Sequence, residues 1–167
     1  SIPEVDAVVS SLTYREIKQQ YEALRRTFDY MNGRRGDIER FFREHPAKTA
    51  AVVGCGSSYC LSRSAALSLT LRAGVPAYAL AGGDIMLSPE RYAPLFDGGV
   101  LVAPSRSGST TEVVEAVRLL RAGGRRVPVL ALSCVENSPL AAEADLALEL
   151  PWAFDASVCQ TRTVTNL

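Results

Sequence analysis

Five short apolar runs, each separated from the next by a helical stretch, most constrain what this chain can become. They lie at residues 50–53, 75–80, 99–103, 127–132 and 145–150. The first four are apolar through their length rather than alternately apolar and polar, and the fifth is apolar but for Asp145 and Glu149, the mark of strands covered on both faces. Such strands alternating with helices fold as a parallel sheet. With right-handed crossovers the pattern predicts a three-layer α/β/α sandwich around a five-stranded, flavodoxin-like parallel sheet. A length of 167 residues, 47% of them apolar, suffices for one such domain with a sizeable core.

Ahead of the first run the pattern differs. Residues 1–47 carry no strand signal and read as an N-terminal helical arm, with the sandwich occupying 48–167. Thr13-Tyr14-Arg15-Glu16 has the form of a capping box. Behind it Tyr14, Ile17, Tyr21, Leu24, Phe28 and Met31 recur at spacings of 3, 4, 3, 4 and 3, an apolar helical stripe ending at Asn32-Gly33. A second helix over residues 37–44 turns Ile38, Phe41 and Phe42 to one side. Stripes this regular suit an arm that packs on something else, a partner subunit among the candidates. At the other end, residues 159–167 have the composition of a helix just beginning. That fits either a longer polypeptide or a helix ending at an interface.

Charge and cysteine usage narrow the function. The 18 Lys+Arg balance 18 Asp+Glu with no basic face in the order of residues, so no nucleic-acid partner is expected. No run approaches the roughly 18–20 apolar residues of a membrane span, and the first residues do not have the form of a signal peptide. The expectation is a cytoplasmic protein without a membrane partner. Cys55, Cys60, Cys134 and Cys159 are spaced 5, 74 and 25 apart, which makes no zinc pattern. With His45 the one histidine, neither a metal centre nor a His-based triad is expected, and no cofactor is called for.

The chemistry should sit where the runs end, because open α/β sheets bind ligands at the carboxyl ends of their strands. Two of those ends carry glycine and hydroxyl residues opening directly into helices: Gly54-Cys55-Gly56-Ser57-Ser58 after the first run, and Ser105-Arg106-Ser107-Gly108-Ser109-Thr110 after the third. Each offers backbone N–H groups at a positive helix end and several uncharged hydroxyls, which is equipment for holding a phosphate. Plainer roles stand beside this one. Ser109-Thr110-Thr111-Glu112 is itself a capping box, and Gly54 and Gly56 are also ordinary turn residues. No Walker A sequence is present and the first loop lacks the third glycine of a dinucleotide fingerprint.

These motifs carry a resemblance. Residues 53–59 and 105–110, Ser138-Pro139-Leu140 ahead of residues 144–148, and residues 155–165 together resemble the sugar isomerase (SIS) domain, over about residues 45–167. The likeness is greatest to the first of the two such domains in the isomerase half of glucosamine-6-phosphate synthase. The Leu12-to-Met31 helix is similar to the N-terminal arm of related tagatose/galactosamine-6-phosphate isomerases and deaminases.

The resemblance implies a binding site for a hexose or aminohexose 6-phosphate. Ser105, Ser107 and Thr110 would clamp the phosphate, with Gly56, Ser57 and Ser58 facing the sugar. Arg106 stands where the synthase has Gln, and contact with the sugar, contact with a phosphate oxygen and exposure to solvent are all open to it. Asp155 falls where the family has a Glu that moves a proton between C1 and C2 in aldose–ketose isomerisation through an enediol, or an enamine for aminosugar phosphates. Asp is one methylene shorter, and a second role, capping the terminal helix, is open to Asp155. The resemblance further implies that the chain is the first half of a two-SIS-domain protein, or completes its site with a homodimer partner. The alternative is a SIS module that senses sugar phosphates or dimerises without catalysis.

Overall fold

The computed structural model describes residues 3–167. Four helices come first: α1 (Pro3–Ser10), α2 (Leu12–Lys18), α3 (Gln20–Gly33) and α4 (Arg35–Glu44). The sandwich then alternates β1 (Thr49–Gly54), α5 (Ser57–Ser68), β2 (Ala77–Ala81), α6 (Gly82–Leu87), α7 (Pro89–Tyr92), β3 (Gly99–Ser105), α8 (Thr111–Ala122), β4 (Val129–Ser133), α9 (Pro139–Glu143) and β5 (Leu146–Glu149), with α10 (Arg162–Asn166) last. All four strand pairings are parallel, in the order β2-β1-β3-β4-β5. The fold is the α/β sandwich that the five apolar runs predict, each strand lying within about two residues of its run.

Alternate strand residues feed two cores. On one face Ala51, Val53, Leu101 and Val129 meet Ile85 of α6, Val113 and Val117 of α8, and Phe96 from the turn before β3. Full burial of a Val, Leu or Ile side chain stabilises by roughly 1.5–3 kcal/mol, so this cluster is the main apolar anchor. On the other face Ala50, Val100, Leu130 and Leu148 meet Phe41 of α4, with Tyr30 and Leu69 beside them. That side is less completely covered: an apolar groove of about 480 Å³ runs between Phe42 and Leu69 over Val102, Leu130 and Leu132.

The arm differs in detail from its sequence reading. Ser11, not Thr13, caps α2, accepting from the Tyr14 amide at 3.2 Å. The supposed capping-box glutamate, Glu16, is buried and serves elsewhere. More telling is which face is inside. Glu16 and Ala23 are buried, and Gln20, Thr27 and Tyr30 half-buried, so the inward stripe is small and polar. The apolar stripe faces out: Tyr21 is 86% and Phe28 68% exposed, with Ile17 and Leu24 also exposed. Hydrogen bonds fix this orientation. Thr27 accepts from the Trp152 indole at 2.9 Å and donates to Asn166 at 2.5 Å, while the Tyr30 hydroxyl accepts from the Glu149 amide at 3.1 Å. Tertiary hydrogen bonding has decided which stripe is buried, against the hydrophobic pattern.

Among the described residues no helix is long and apolar enough to cross a membrane.

Candidate functional site

Strand order places the two glycine–hydroxyl loops side by side. From β1 the chain crosses outward to β2 and then returns to the other side of β1 as β3. Loops after β1 and β3 therefore leave the sheet in opposite directions and open a crevice at the topological switch point. The loop at 54–58 forms one wall and the loop at 105–110 the other.

The first wall is shaped by close packing. A Cβ on Gly54 would stand 2.6 Å from the Ser58 carbonyl oxygen, so only glycine lets the first turn of α5 fold back on its strand. Gly56, the residue before α5, has φ +57°, and no side chain caps the helix. The Ser58 hydroxyl donates to the Cys55 carbonyl at 2.8 Å and accepts from the Cys55 amide at 3.1 Å, which ties the turn shut. Gly56 and Ser57 are exposed at its lip. The Cys55 thiol lies against Glu112 of α8, and burial first, then that carboxylate, pushes its pKa up, so it is a neutral thiol rather than a nucleophilic thiolate.

The second wall is a tight loop held by its own atoms. Ser105 is buried, and its hydroxyl accepts from the Gly108 amide at 3.0 Å. Ser107 accepts from the Ser109 amide at 3.2 Å. Gly108 has φ +61°, and any Cβ there would overlap the side chain of Ser138. Its carbonyl accepts from the Leu140 amide at 2.8 Å, which fastens the loop to α9. The predicted capping box at 109–112 does not form. Thr110 is the residue before α8 and makes no side-chain cap bond, Ser109 is exposed, and Glu112 turns to Cys55. Two helices of twelve residues thus point uncapped N-termini at one crevice, each with partial positive charge.

Arg106 points away from both. Its guanidinium donates to the carbonyls of Asp155 (3.3 Å) and Ser157 (3.0 Å) and lies 5.9 Å from the centre of the Phe154 ring. In this conformation it braces the neighbouring loop.

That loop, residues 154–161, follows β5 and is gripped from several sides. Asp155 is fully buried. Its carboxylate accepts from the amides of Thr161 (2.5 Å) and Thr163 (2.9 Å) and pairs with Arg162 at 3.4 Å. Both carboxylate oxygens therefore have partners at the start of α10, although Thr161 and not Asp155 is the residue before that helix. Glu16 holds the next two residues: it accepts from the amides of Ala156 (2.8 Å) and Ser157 (3.3 Å) and from the Ser157 hydroxyl. Nothing in the sequence ties Glu16 to residues 140 positions away. Its one trace is negative, a carboxylate standing beside an apolar stripe rather than on the far face. Below the loop, burial pushes the Cys134 thiol up to about 12.

Among the described residues no group of three or more His, Cys, Asp or Glu side chains is arranged to hold a metal ion. His45 packs edge-on against Phe41 before β1, at the opposite edge of the sheet from the crevice.

Comparison with known proteins places this geometry. A glutamine–fructose-6-phosphate aminotransferase (isomerizing) from Zymomonas mobilis subsp. mobilis is 30% identical over 118 residues, which cover 71% of this chain and 19% of that protein. The tagatose-6-phosphate ketose/aldose isomerase of Escherichia coli superposes with a TM-score of 0.83 at 23% identity, over 96% of this chain and 46% of that one. The NanR protein of Vibrio vulnificus, solved in complex with ManNAc-6P, superposes with a TM-score of 0.67 at 22% identity, covering 98% and 60%. This chain therefore spans about a fifth of the first relative and just under half of the first structure. The SIS domain family model matches residues 45–165, the stretch that carries β1 to β5 and all three loops, and the chain belongs to that family.

Proposed function

We propose that this chain binds a hexose or aminohexose 6-phosphate in the crevice between the two loops, as part of a phosphosugar isomerase. The observation that carries the reading is the pair of uncapped helix N-termini facing one switch-point crevice. Amides of the 105–110 loop and the start of α8, with the hydroxyls of Ser107 and Thr110, would hold the phosphate. Ser105 would shape the loop through Gly108. Gly56, Ser57 and Ser58 would line the sugar end. Relatives described as an isomerase and an isomerizing aminotransferase, and a neighbour solved with ManNAc-6P, support a phosphosugar as the ligand.

Isomerisation of this class moves a proton between C1 and C2 through an enediol, or an enamine where nitrogen replaces the carbonyl oxygen, and needs a carboxylate base. Asp155, whose carboxylate is fully buried, would serve once movement of the 154–161 loop exposes its Oδ1 to the crevice. With its bonds to the Thr161 and Thr163 amides made it positions the loop. The remaining catalytic groups would come from a second SIS domain or a homodimer partner.

Thermal unfolding with fructose, tagatose and glucosamine 6-phosphates, against the parent sugars and inorganic phosphate, tests the binding. Saturation at 100 Kd adds about 2.7 kcal/mol, which raises Tm by several degrees. A shift with a phosphosugar that is lost in Ser107→Ala supports the clamp, and no shift with any of them counts against it. For the chemistry, Asp155→Asn is informative. A base loses turnover by orders of magnitude with binding intact, whereas a positioning residue loses both together.

A further inference from the structure

Of the seven residues of α2, one is buried: Glu16, 1% exposed. A short amphipathic helix ordinarily docks through apolar side chains. Here Leu12 and Ile17 are exposed, and a carboxylate is the buried anchor. Among the described residues Glu16 has no ion-pair partner. Its charge is offset by the amides of Ala156 and Ser157 and by the Ser157 hydroxyl, three donors from one loop. A buried carboxylate is costly without such donors. Glu16 therefore stays inside only while the loop stays where it is.

The loop depends on the helix in return. Between Asp155 and Gln160 every backbone hydrogen bond runs to a side chain. Three amides in that stretch are bonded, and Glu16 takes two of them. Gln19, which closes α2, supplies a second hold. Its side-chain oxygen accepts from Arg162, whose guanidinium also donates to the Phe154 carbonyl at 2.5 and 3.1 Å. Asp155 lies between these two holds. The peptide unit before it is tethered to Gln19 through Arg162, and the unit after it is bonded to Glu16 through the Ala156 amide. Both peptide units flanking Asp155 are thus held from α2.

We infer that α2 and the 154–161 loop open and close as one unit pinned by Glu16, which makes Glu16 a positioning residue for Asp155. Displacing α2 frees the two peptide units beside Asp155, and the loop movement that exposes its carboxylate requires Glu16 to let go. The dependence is mutual. A half-open state leaves either a buried carboxylate or two amides without partners, so the unit has two arrangements rather than a continuum. For its catalytic meaning the inference rests on the reading above, in which Asp155 is the base. The coupling itself requires no sugar.

Amide hydrogen exchange of the 167-residue chain, read residue by residue, tests the unit. Glu16→Leu keeps similar bulk and removes every acceptor. Glu16→Gln keeps Oε1, the atom that takes both amides. In Glu16→Leu the amides of Ala156, Ser157 and residues 16–19 should quicken together by about tenfold or more, with the Gly108 amide unchanged. Glu16→Gln should return all of them to within about threefold of wild type. No change at Ala156 and Ser157 in Glu16→Leu overturns the proposal, as does quickening there without quickening in α2. A Glu16→Gln variant that exchanges like Glu16→Leu also overturns it. Should Glu16→Leu not fold, wild type in low denaturant decides: one opening free energy shared by residues 16–19 and 156–157 supports the unit, and two separate values overturn it. Thermal shifts with phosphosugars are scored apart, so joint exchange without any such shift upholds the unit and counts against the binding reading alone.

Discussion

Two neighbouring loops at the same edge of the sheet are held in opposite ways. The 105–110 loop holds itself: Ser105 bonds Gly108, Ser107 bonds Ser109, and Gly108 wedges against Ser138. The 154–161 loop is held by outsiders, namely Glu16 from the arm, Arg106 from the first loop and the amides at the start of α10. The difference bears on function. A self-bonded loop of small residues is preorganised for an anion, whereas a loop held by separate side chains can be released by moving any one of them. Arg106 links the two, reaching from the first loop to the Asp155 and Ser157 carbonyls of the second.

The contrast can be broken most severely at Gly108. Gly108→Ala imposes a left-handed backbone on alanine and a clash with Ser138, together about 4 kcal/mol of destabilisation by urea unfolding. A loss under about 1 kcal/mol would show that the loop is not rigid. Removing the second loop's internal anchor comes next. Asp155→Ala leaves the Thr161 and Thr163 amides without their acceptor and removes the carboxylate beside Arg162, a loss of about 3 kcal/mol. Hydrogen exchange should quicken at residues 156–163 while the Gly108 amide stays protected. If both loops open together, they are one unit and the contrast fails.

Cys134 sits beneath both loops and adds a pH signature. Its folded pKa of about 12 lies above the ordinary 9.0, so the folded state keeps a proton that the unfolded state releases. Stability from this thiol is intact below about pH 9 and falls between about pH 9 and 12, by up to about 1.4 kcal/mol per pH unit. Comparing urea unfolding of wild type and Cys134→Ala at about pH 8, 10 and 11 isolates it, and parallel curves would refute the burial. The smallest effect belongs to Ser107→Ala, which deletes one half-exposed hydroxyl that accepts from Ser109. Under about 1 kcal/mol of stability should be lost, and a larger loss would mean that this residue braces the loop rather than awaiting a ligand.

How much of this was legible in the sequence follows from the range of each interaction. The strands were, because short, mostly apolar runs are local signals. The positions of the two glycine–hydroxyl loops were legible for the same reason. Their caps were misread: Ser109-Thr110-Thr111-Glu112 satisfies the capping-box pattern, yet Glu112 lies against Cys55. A pattern states that a bond is available and cannot state that a competitor is absent. Arg106 and Asp155 stood in the sequence as residues with several open roles, and only the folded loop shows where their polar atoms are spent.

By itself, then, the sequence determined the layered α/β class, the strand positions and the two loops of the crevice, all encoded in short local stretches. The tertiary structure decided which helix stripe faces inward, that Glu16 grips Ala156 and Ser157, and that the carboxylate of Asp155 turns to the backbone of α10. Periodicity records that a stripe exists. Which stripe is buried depends on hydrogen-bond partners such as Trp152 and Glu149, which are brought to the arm only when the sheet has formed.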